Sequence, residues 1–237
     1  MEGRLIAGLE KLRGGALLSM ISTALAAAAL GVILCVASSI GPGRPWLEAV
    51  ALHEVAAASA ALIMALASLV LAVAAFVYWF MASGDLKRHS PRLGIGRTGM
   101  VLSLVGVALL LLVLVAGAAA LAPSLPRQPA DLEAVARVAV AMVAGALASA
   151  AIVVVGGVLF GVMIIRLADE PGVQRGFAKA GVLFIVGLVL SALLTPLGLP
   201  AGAAVHFAAC ALIYHYSGGS LRGLRASAPS PAPPGPP

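Results

Sequence analysis

The sequence predicts an all-α protein that crosses a membrane several times as a polytopic helical bundle. Of its 237 residues, 62% are hydrophobic and only 10% are charged, and the mean hydropathy is +1.10. A soluble domain is roughly 45–50% apolar and about 25% charged. So few charges could not cover a soluble globule, and a disordered chain would be poorer in apolar residues. Six long apolar runs therefore indicate a membrane protein.

A helix needs about 20 residues to cross roughly 30 Å of hydrocarbon, and this length divides the apolar sequence into six predicted spans. Two of them are long enough to tilt or to project past the headgroups. Pro196 and Pro200 flank Gly198 and favour a tight turn between the last two spans; a single broken span with a re-entrant end is the alternative. The predicted spans are 16–40, 50–82, 98–122, 134–166, 178–197 and 201–216.

Lysine and arginine are distributed unequally between the two sides of these spans. Twelve of the fifteen lie before the first span, in residues 83–97, in residues 166–179 or after the last span. The other three are Arg44, Arg127 and Arg137. Because cytoplasmic loops of membrane proteins are enriched in Lys and Arg, this partition predicts a multi-pass protein with both termini in the cytoplasm. The same bias accounts for the net charge of +6 without a nucleic-acid partner.

The membrane domain is predicted over residues 15–217, with a different kind of segment on each side. Residues 1–14 carry apolar residues at helical spacing, which is typical of an amphipathic helix on the cytoplasmic surface or of an extension of the first span. Residues 218–237 end in the sequence ASAPSPAPPGPP, which is typical of a disordered, proline-rich cytoplasmic tail. An inert solubilising tail is favoured over a docking segment for a proline-binding partner.

An internal similarity suggests three repeated helical hairpins. The sequence RGGALLS at residues 13–19 resembles RTGMVLS at residues 97–103, and KAGVL at residues 179–183 is a fainter third copy. Each copy opens an odd-numbered span from the predicted cytoplasmic side. Chance similarity between apolar segments is the alternative to a true triplication. Parallel repeats occur in transporters, but repeats alone do not indicate transport.

The segment Gly94–Gly99 has the pattern GxGxxG, which in dinucleotide-binding folds links a strand to a helix. Here the preceding residues are basic and do not resemble a strand, so a dinucleotide site is not expected. Free backbone amides at a helix start could instead contact a lipid phosphate. The candidates for that contact are Arg92, Gly96, Arg97 and Gly99, and a plain basic loop is the alternative.

The fourth predicted span contains a GxxxG pair, Gly157 and Gly161. Small residues at this spacing let two helix backbones approach closely in lipid. The pair therefore predicts a helix-packing contact. A contact within the chain is favoured over a dimer interface, because six spans are available as neighbours.

The sequence contains no recognisable catalytic or metal-binding motif, and neither a cofactor nor a metal is expected. His53, Glu54 and His206 are the best polar candidates, although nothing in their spacing indicates two histidines that face each other as haem ligands. The middle of every predicted span lacks Asp, Glu, Lys and Arg. Proton-coupled pumps usually need such a residue, so this class of protein is disfavoured.

Three segments together resemble a known family: GLEKLRGGALLSMIS at residues 8–22, LGIGRTGMVLSLVG at residues 93–106, and GVMIIRL with FAKAGVLFIVG at residues 161–167 and 177–187. The resemblance is to archaeal multi-pass membrane proteins that carry a domain of unknown function, and it covers about residues 4–216. It implies an archaeal plasma membrane. The family has no agreed activity and no catalytic residues to transfer.

These observations predict a non-catalytic accessory or scaffold subunit of a membrane complex. The expected partners are the lipid bilayer, anionic lipid headgroups on the cytoplasmic face, and other membrane subunits or further copies of the chain. The alternative is a channel or facilitator for a neutral or apolar solute, with Ser149 and Ser191 as weak contacts near the midplane. An enzyme is the least favoured class.

Overall fold

The computed structural model describes residues 2–39, 52–121, 132–193 and 199–227. A short 3₁₀ turn at Pro91–Leu93 joins the second helix to the third, and the described part of the chain contains no strand. The predicted all-α class is confirmed, with one helix for each predicted span. The helices are α1 (Glu2–Ser39), α2 (Leu52–His89), α3 (Gly94–Leu121), α4 (Leu132–Leu167), α5 (Phe177–Leu193) and α6 (Leu199–Ser227).

The six helices form three antiparallel hairpins, α1–α2, α3–α4 and α5–α6, that close into a ring. Each helix packs against the next one in the chain, and α6 packs against α1. The alternating direction brings the starts of α1, α3 and α5 to the same end of the bundle as the ends of α2, α4 and α6. We call this end the basic end, because every described Lys and Arg except Arg137 lies there.

The lengths and hydropathies of the helices are those of a membrane-embedded protein. The helices α1 to α4 are each long and apolar enough to cross a membrane. The helix α5 is apolar but has only 17 residues. At 1.5 Å per residue, the 38 residues of α1 extend about 57 Å, which is well beyond the roughly 30 Å of a bilayer's hydrocarbon. The longest helices must therefore tilt or continue outside the hydrocarbon.

The hydrophobic core is concentrated towards the basic end. In α1 to α4, every member of this core lies in the half of the helix nearer that end. Two of the largest, Phe160 of α4 and Phe177 of α5, are fully buried. All six helices contribute to the core, so the basic end is where the three hairpins are held together.

Residues 2–13 continue α1 without a break, so they are an extension of the first span and not a separate helix on the membrane surface. The amphipathic pattern of this segment arises because its leucines pack inside the bundle instead of against lipid. Lys11 on the same segment reaches α2, where its Nζ lies 2.5 Å from Asp85 Oδ2. The predicted boundary at residue 14 is therefore not a structural boundary. The buried leucines are Leu5, Leu9 and Leu12.

The last helix, α6, runs to Ser227 and so passes the predicted boundary at residue 217. The prediction of a disordered tail is wrong for residues 218–227. Leu221 in this segment is buried, and Ser220 Oγ accepts a hydrogen bond of 3.0 Å from the backbone N–H of Gln174. These contacts with the α4–α5 connection stabilise the added turns. Residues 228–237 lie outside the described residues, as do residues 195–198 of the predicted turn; its last two residues, Leu199 and Pro200, begin α6.

Contacts between small residues also hold together the two helices of each of the first two hairpins. Ser22 and Ser68 join α1 to α2, because each hydroxyl donates to the other residue's carbonyl oxygen at 2.9 Å. Gly99 and Gly156 join α3 to α4, and a Cβ at Gly156 would lie only 2.5 Å from the Gly99 carbonyl oxygen. Close approach of this kind is the main source of helix association in lipid, where apolar side chains gain little by leaving the acyl chains.

The Gly99 contact gives a test of this packing. Gly99→Ala adds a methyl group that overlaps the α4 backbone, and overpacking of this kind typically costs about 1–3 kcal/mol. We expect a midpoint of thermal unfolding in detergent several degrees below that of the parent protein. In a Cys35→Ser background, unfolding can be followed by the reactivity of the buried Cys210 thiol.

Gly31→Ala is the matched control, because nothing lies within 4 Å of a Cβ at that position. Alanine favours a helix over glycine by about 1 kcal/mol, so this variant should unfold at the same temperature or higher. If both variants lowered the midpoint of thermal unfolding equally, the close contact between α3 and α4 would be contradicted.

Candidate functional site

Aromatic rings fill the centre of the helix ring, between the basic end and the middle of the bundle. Trp79 of α2 lies 5.4 Å from Phe160 of α4 and 5.7 Å from Phe184 of α5, measured between ring centroids. His206 of α6 lies 5.1 Å from Phe184 and 6.3 Å from Trp79. These distances are typical of favourable tilted and edge-to-face contacts. We call these four residues the central cluster.

Two small polar side chains meet His206 in the central cluster. Ser19 Oγ of α1 lies 3.1 Å from His206 Nε2, and Cys210 Sγ, one turn further along α6, lies 3.5 Å from the same nitrogen. Which atom donates depends on the tautomer of the imidazole. Through Ser19, the first helix is joined to the four helices that supply the rings, and only α3 has no part in these contacts.

A hydroxyl or thiol beside an imidazole is the arrangement that activates nucleophiles in enzymes. Here Cys210 is fully buried and Ser19 is 8% exposed, and Trp79 and Phe184 cover the imidazole. Aromatic side chains of α2 and α5 therefore pack against the imidazole. Within the described ranges, no three His, Cys, Asp or Glu side chains are grouped closely enough to hold a metal ion.

The other polar candidates are placed differently from His206. The side chains of His53 and Glu54 lie outside the described part of the structure, so their predicted role stays a prediction. His89, at the end of α2, lies at the basic end with its Nε2 3.5 Å from Glu170 Oε2. His206 is therefore the histidine that meets a hydroxyl and a thiol inside the bundle. Its spacing of four residues from Cys210 is the sequence signal that could have indicated this pair.

Two of the repeat-related basic residues make equivalent contacts. Arg97, at the start of α3, stacks on the Phe80 ring of α2 with 3.8 Å between its guanidinium carbon and the ring centroid. Arg13, six residues before Ser19 on α1, stacks on the Tyr214 ring of α6 at 4.4 Å. Each arginine thus joins its hairpin to the hairpin beside it in the ring. The sequence similarity between residues 13–19 and 97–103 corresponds to a shared contact.

The four residues predicted to contact a lipid phosphate are not brought together. A Cβ at Gly96 would overlap Met163, and one at Gly99 would overlap the backbone of α4, so this helix face is covered by α4. Arg97 is engaged by Phe80, whose carbonyl oxygen also accepts a hydrogen bond of 3.2 Å from Arg97 Nη1. Arg92 lies apart, where its carbonyl oxygen accepts from Arg166 Nη1 at 3.3 Å.

The GxxxG pair of α4 lies at a contact inside the chain. A Cβ at Gly161 would lie 2.5 Å from Ile185 of α5, and one at Gly157 would overlap Leu188 of the same helix. The two glycines therefore allow α5 to approach α4. This geometry corresponds to the internal contact that was favoured over a dimer interface.

A comparison with protein families places the chain in one of them. The model of a family described as a protein of unknown function, DUF973, matches residues 6–236. The chain belongs to the DUF973 family. No curated protein and no solved structure matches the chain. Membership of this family agrees with the predicted resemblance to a domain of unknown function, and it assigns no activity to the central cluster.

The basic end of this DUF973 protein also carries an open groove of about 680 Å³ between α1 and α6. Arg13 and Tyr214 form its inner wall. Glu10, Arg222 and Arg225, which lie nearer the basic end, form its outer part. Sequence analysis did not single out this groove, because its two sides are 200 residues apart in the chain. Its lining residues are Glu10, Arg13, Gly14, Leu17, Tyr214, His215, Gly218, Leu221, Arg222 and Arg225.

The arginine contact of α3 can be tested by a conservative substitution. Arg97→Lys keeps the charge but removes the planar guanidinium that stacks on Phe80. Cation–π contacts contribute about 0.5–2 kcal/mol, so we expect a lower free energy of unfolding by about 1 kcal/mol in detergent. Arg88→Lys is the control, because Arg88 is exposed and makes no stacking contact in the described structure. If Arg88→Lys lowered the free energy of unfolding as much as Arg97→Lys, the loss could not be assigned to the stacking of Arg97 on Phe80.

Proposed function

We propose that this protein is a non-catalytic accessory or scaffold subunit of a membrane complex. The packing of aromatic rings at the centre of the bundle, in the half nearer the basic end, is the observation that supports this role. Trp79, Phe160, Phe184 and His206 occupy the place where a bundle of six helices would enclose a substrate cavity or a solute path. A protein whose interior is packed in this way acts through its surfaces.

The surfaces towards the opposite end suit contact with other helices. Exposed small residues lie in that half of α1, α2 and α3 and at the middle of α4: residues 26–28, 58–60 and 118–120, and Ala148, Ala150 and Ala151. Such residues are enriched where helices pack together in lipid, because they allow the backbones to approach. The exposed apolar side chains beside them, such as Ile63 and Leu147, would be covered by lipid or by the partner's helices.

The alternative, a facilitator for a neutral solute, finds less support in the positions of the two serines proposed for it. Ser149 donates to the Gly145 carbonyl oxygen at 2.8 Å and lies against Gly106 of α3. Ser191 lies against Gly202 of α6. Each serine therefore packs against the other helix of its own hairpin, which lends the facilitator less support.

Extraction of the intact particle from its own membranes tests the proposed role. We expect native mass spectrometry to find other membrane subunits in stoichiometric amounts with the tagged chain. Ala58→Leu adds bulk to an exposed small-residue run and should reduce the copurified subunit at least tenfold. Val73→Leu is the matched control, because Val73 is already large and exposed, and it should retain the subunit.

Recovery of a monomer or a homo-oligomer alone, with the parent chain, would overturn the subunit role. Solute-flux measurements in liposomes would then test the facilitator.

We infer further that the protein lies in an archaeal plasma membrane with its basic end in the cytoplasm. The concentration of Lys and Arg at one end of the described helices supports this orientation. Ser227→Cys in a Cys35→Ser background places a thiol at the end of α6, whereas Cys210 is buried. We expect a membrane-impermeant maleimide to label this variant in inside-out vesicles and not in intact cells. Labelling in intact cells would reverse the orientation.

A further inference from the structure

We propose that the groove between α1 and α6 at the basic end binds the phosphate headgroup of an anionic membrane lipid, with the lipid chains lying along α1. This site is independent of the subunit role, because it concerns a different surface of the bundle. Its ligand is defined by three features: the charge of the lining, the donors that Arg13 presents, and the change from polar to apolar along the groove.

The lining has an excess of positive charge. Three arginines and one histidine line the groove, and Glu10 is its one acidic lining residue. Arg225 pairs with Glu10 across the groove, so the charge of that arginine is compensated. Arg13 and Arg222 have no carboxylate partner within the described ranges. Two uncompensated guanidinium groups in one groove favour a ligand with a phosphate or another compact anion, since guanidinium donors match phosphate oxygens.

Arg13 is held in an orientation that leaves donors for such a ligand. Its guanidinium stacks on Tyr214, and Nη2 donates to Tyr214 Oη at 2.9 Å. Its Nε is buried and has no hydrogen-bond partner in the described structure. A guanidinium group has five N–H donors, and a buried donor without a partner destabilises the protein, so a ligand that accepts from it is favoured. The missing Cβ of Gly218 leaves a space 3.7 Å from Arg13 Nε, and an anionic oxygen that entered there would give this donor a partner.

The groove becomes apolar on the side that faces the middle of the bundle. Leu17 lines it one turn beyond Arg13, and Ile21 continues the same face of α1 one turn later. Both side chains are more than 40% exposed, at 41% and 43%. A phosphate beside Arg13 would therefore have an apolar track next to it, running towards the hydrocarbon. This combination fits a lipid, whereas a soluble phosphate would use only the basic part; basic pockets between membrane helices are known to bind lipid headgroups.

The experiment is native mass spectrometry of the detergent-solubilised full chain, titrated with phosphatidylglycerol and, separately, with phosphatidylcholine of the same acyl chains. We expect phosphatidylglycerol to bind at least tenfold more tightly than phosphatidylcholine. Arg13→Gln with Arg222→Gln should reduce this affinity at least tenfold. Arg4→Gln removes one exposed charge from the same end outside the groove, so its affinity should stay within about twofold of that of the parent chain.

A single variant and a competition with inorganic phosphate distinguish the possible outcomes. Arg222→Gln alone alters only an exposed side chain, and it should weaken phosphatidylglycerol binding at least threefold even if the double variant does not fold. Protection of the Cys210 thiol reports folding of each variant. Inorganic phosphate at millimolar concentration distinguishes the source of the anion: displacement of the lipid by phosphate alone would indicate a site for a free anion and overturn the lipid assignment. Equal lipid binding by the folded parent and groove variants would overturn the site itself.

Discussion

The packing of all six helices at the basic end is the constraint on which the rest of the structure depends. Burial of apolar surface stabilises a protein where the alternative is water, but it does little in a bilayer, whose acyl chains are as apolar as leucine. The buried leucines of residues 2–13 continue the bundle past the stretch predicted to lie in hydrocarbon. There they can gain the full benefit of leaving water. This layer anchors α1 to its neighbours and so fixes the relation of the first hairpin to the third.

Inside the predicted membrane region, other interactions replace the hydrophobic effect. Glycines bring α3 against α4 and α4 against α5, and reciprocal serine hydrogen bonds join α1 to α2. The central cluster adds ring contacts and the Ser19–His206 contact at the centre of the ring. These are directional or short-range interactions, so they require closely fitted surfaces. In the half of the bundle nearer the basic end, these contacts place aromatic rings at the centre, which is why the outer faces are the more promising places for function.

The differences between the predicted and the observed ends of the bundle have one physical cause. The segments 1–14 and 218–237 were separated from the membrane domain because their composition changes there, from apolar to mixed or proline-rich. In the structure, α1 and α6 pass these boundaries because Leu9 and Leu221 find apolar partners in neighbouring helices. Similarly, Gly96 and Gly99 belong to a GxGxxG pattern in sequence, and in the structure both lie in close contact with α4. A glycine allows either a phosphate contact or close helix packing, and the element that lies next to it in the fold determines which one occurs.

The sequence alone determined the all-α membrane class, the six helices, and the concentration of basic residues at one end, because span length and charge distribution are local properties that the bilayer constrains directly. The similarity between residues 13–19 and 97–103 also pointed to equivalent positions. Only the tertiary structure decided that Arg13 stacks on Tyr214, that His206 meets Ser19, and that α1 and α6 form a groove. These partners lie about 200 residues apart, and in lipid no periodic pattern of polarity indicates which helix faces which. The packing of α6 against α1, which only the tertiary structure shows, brings these residues together.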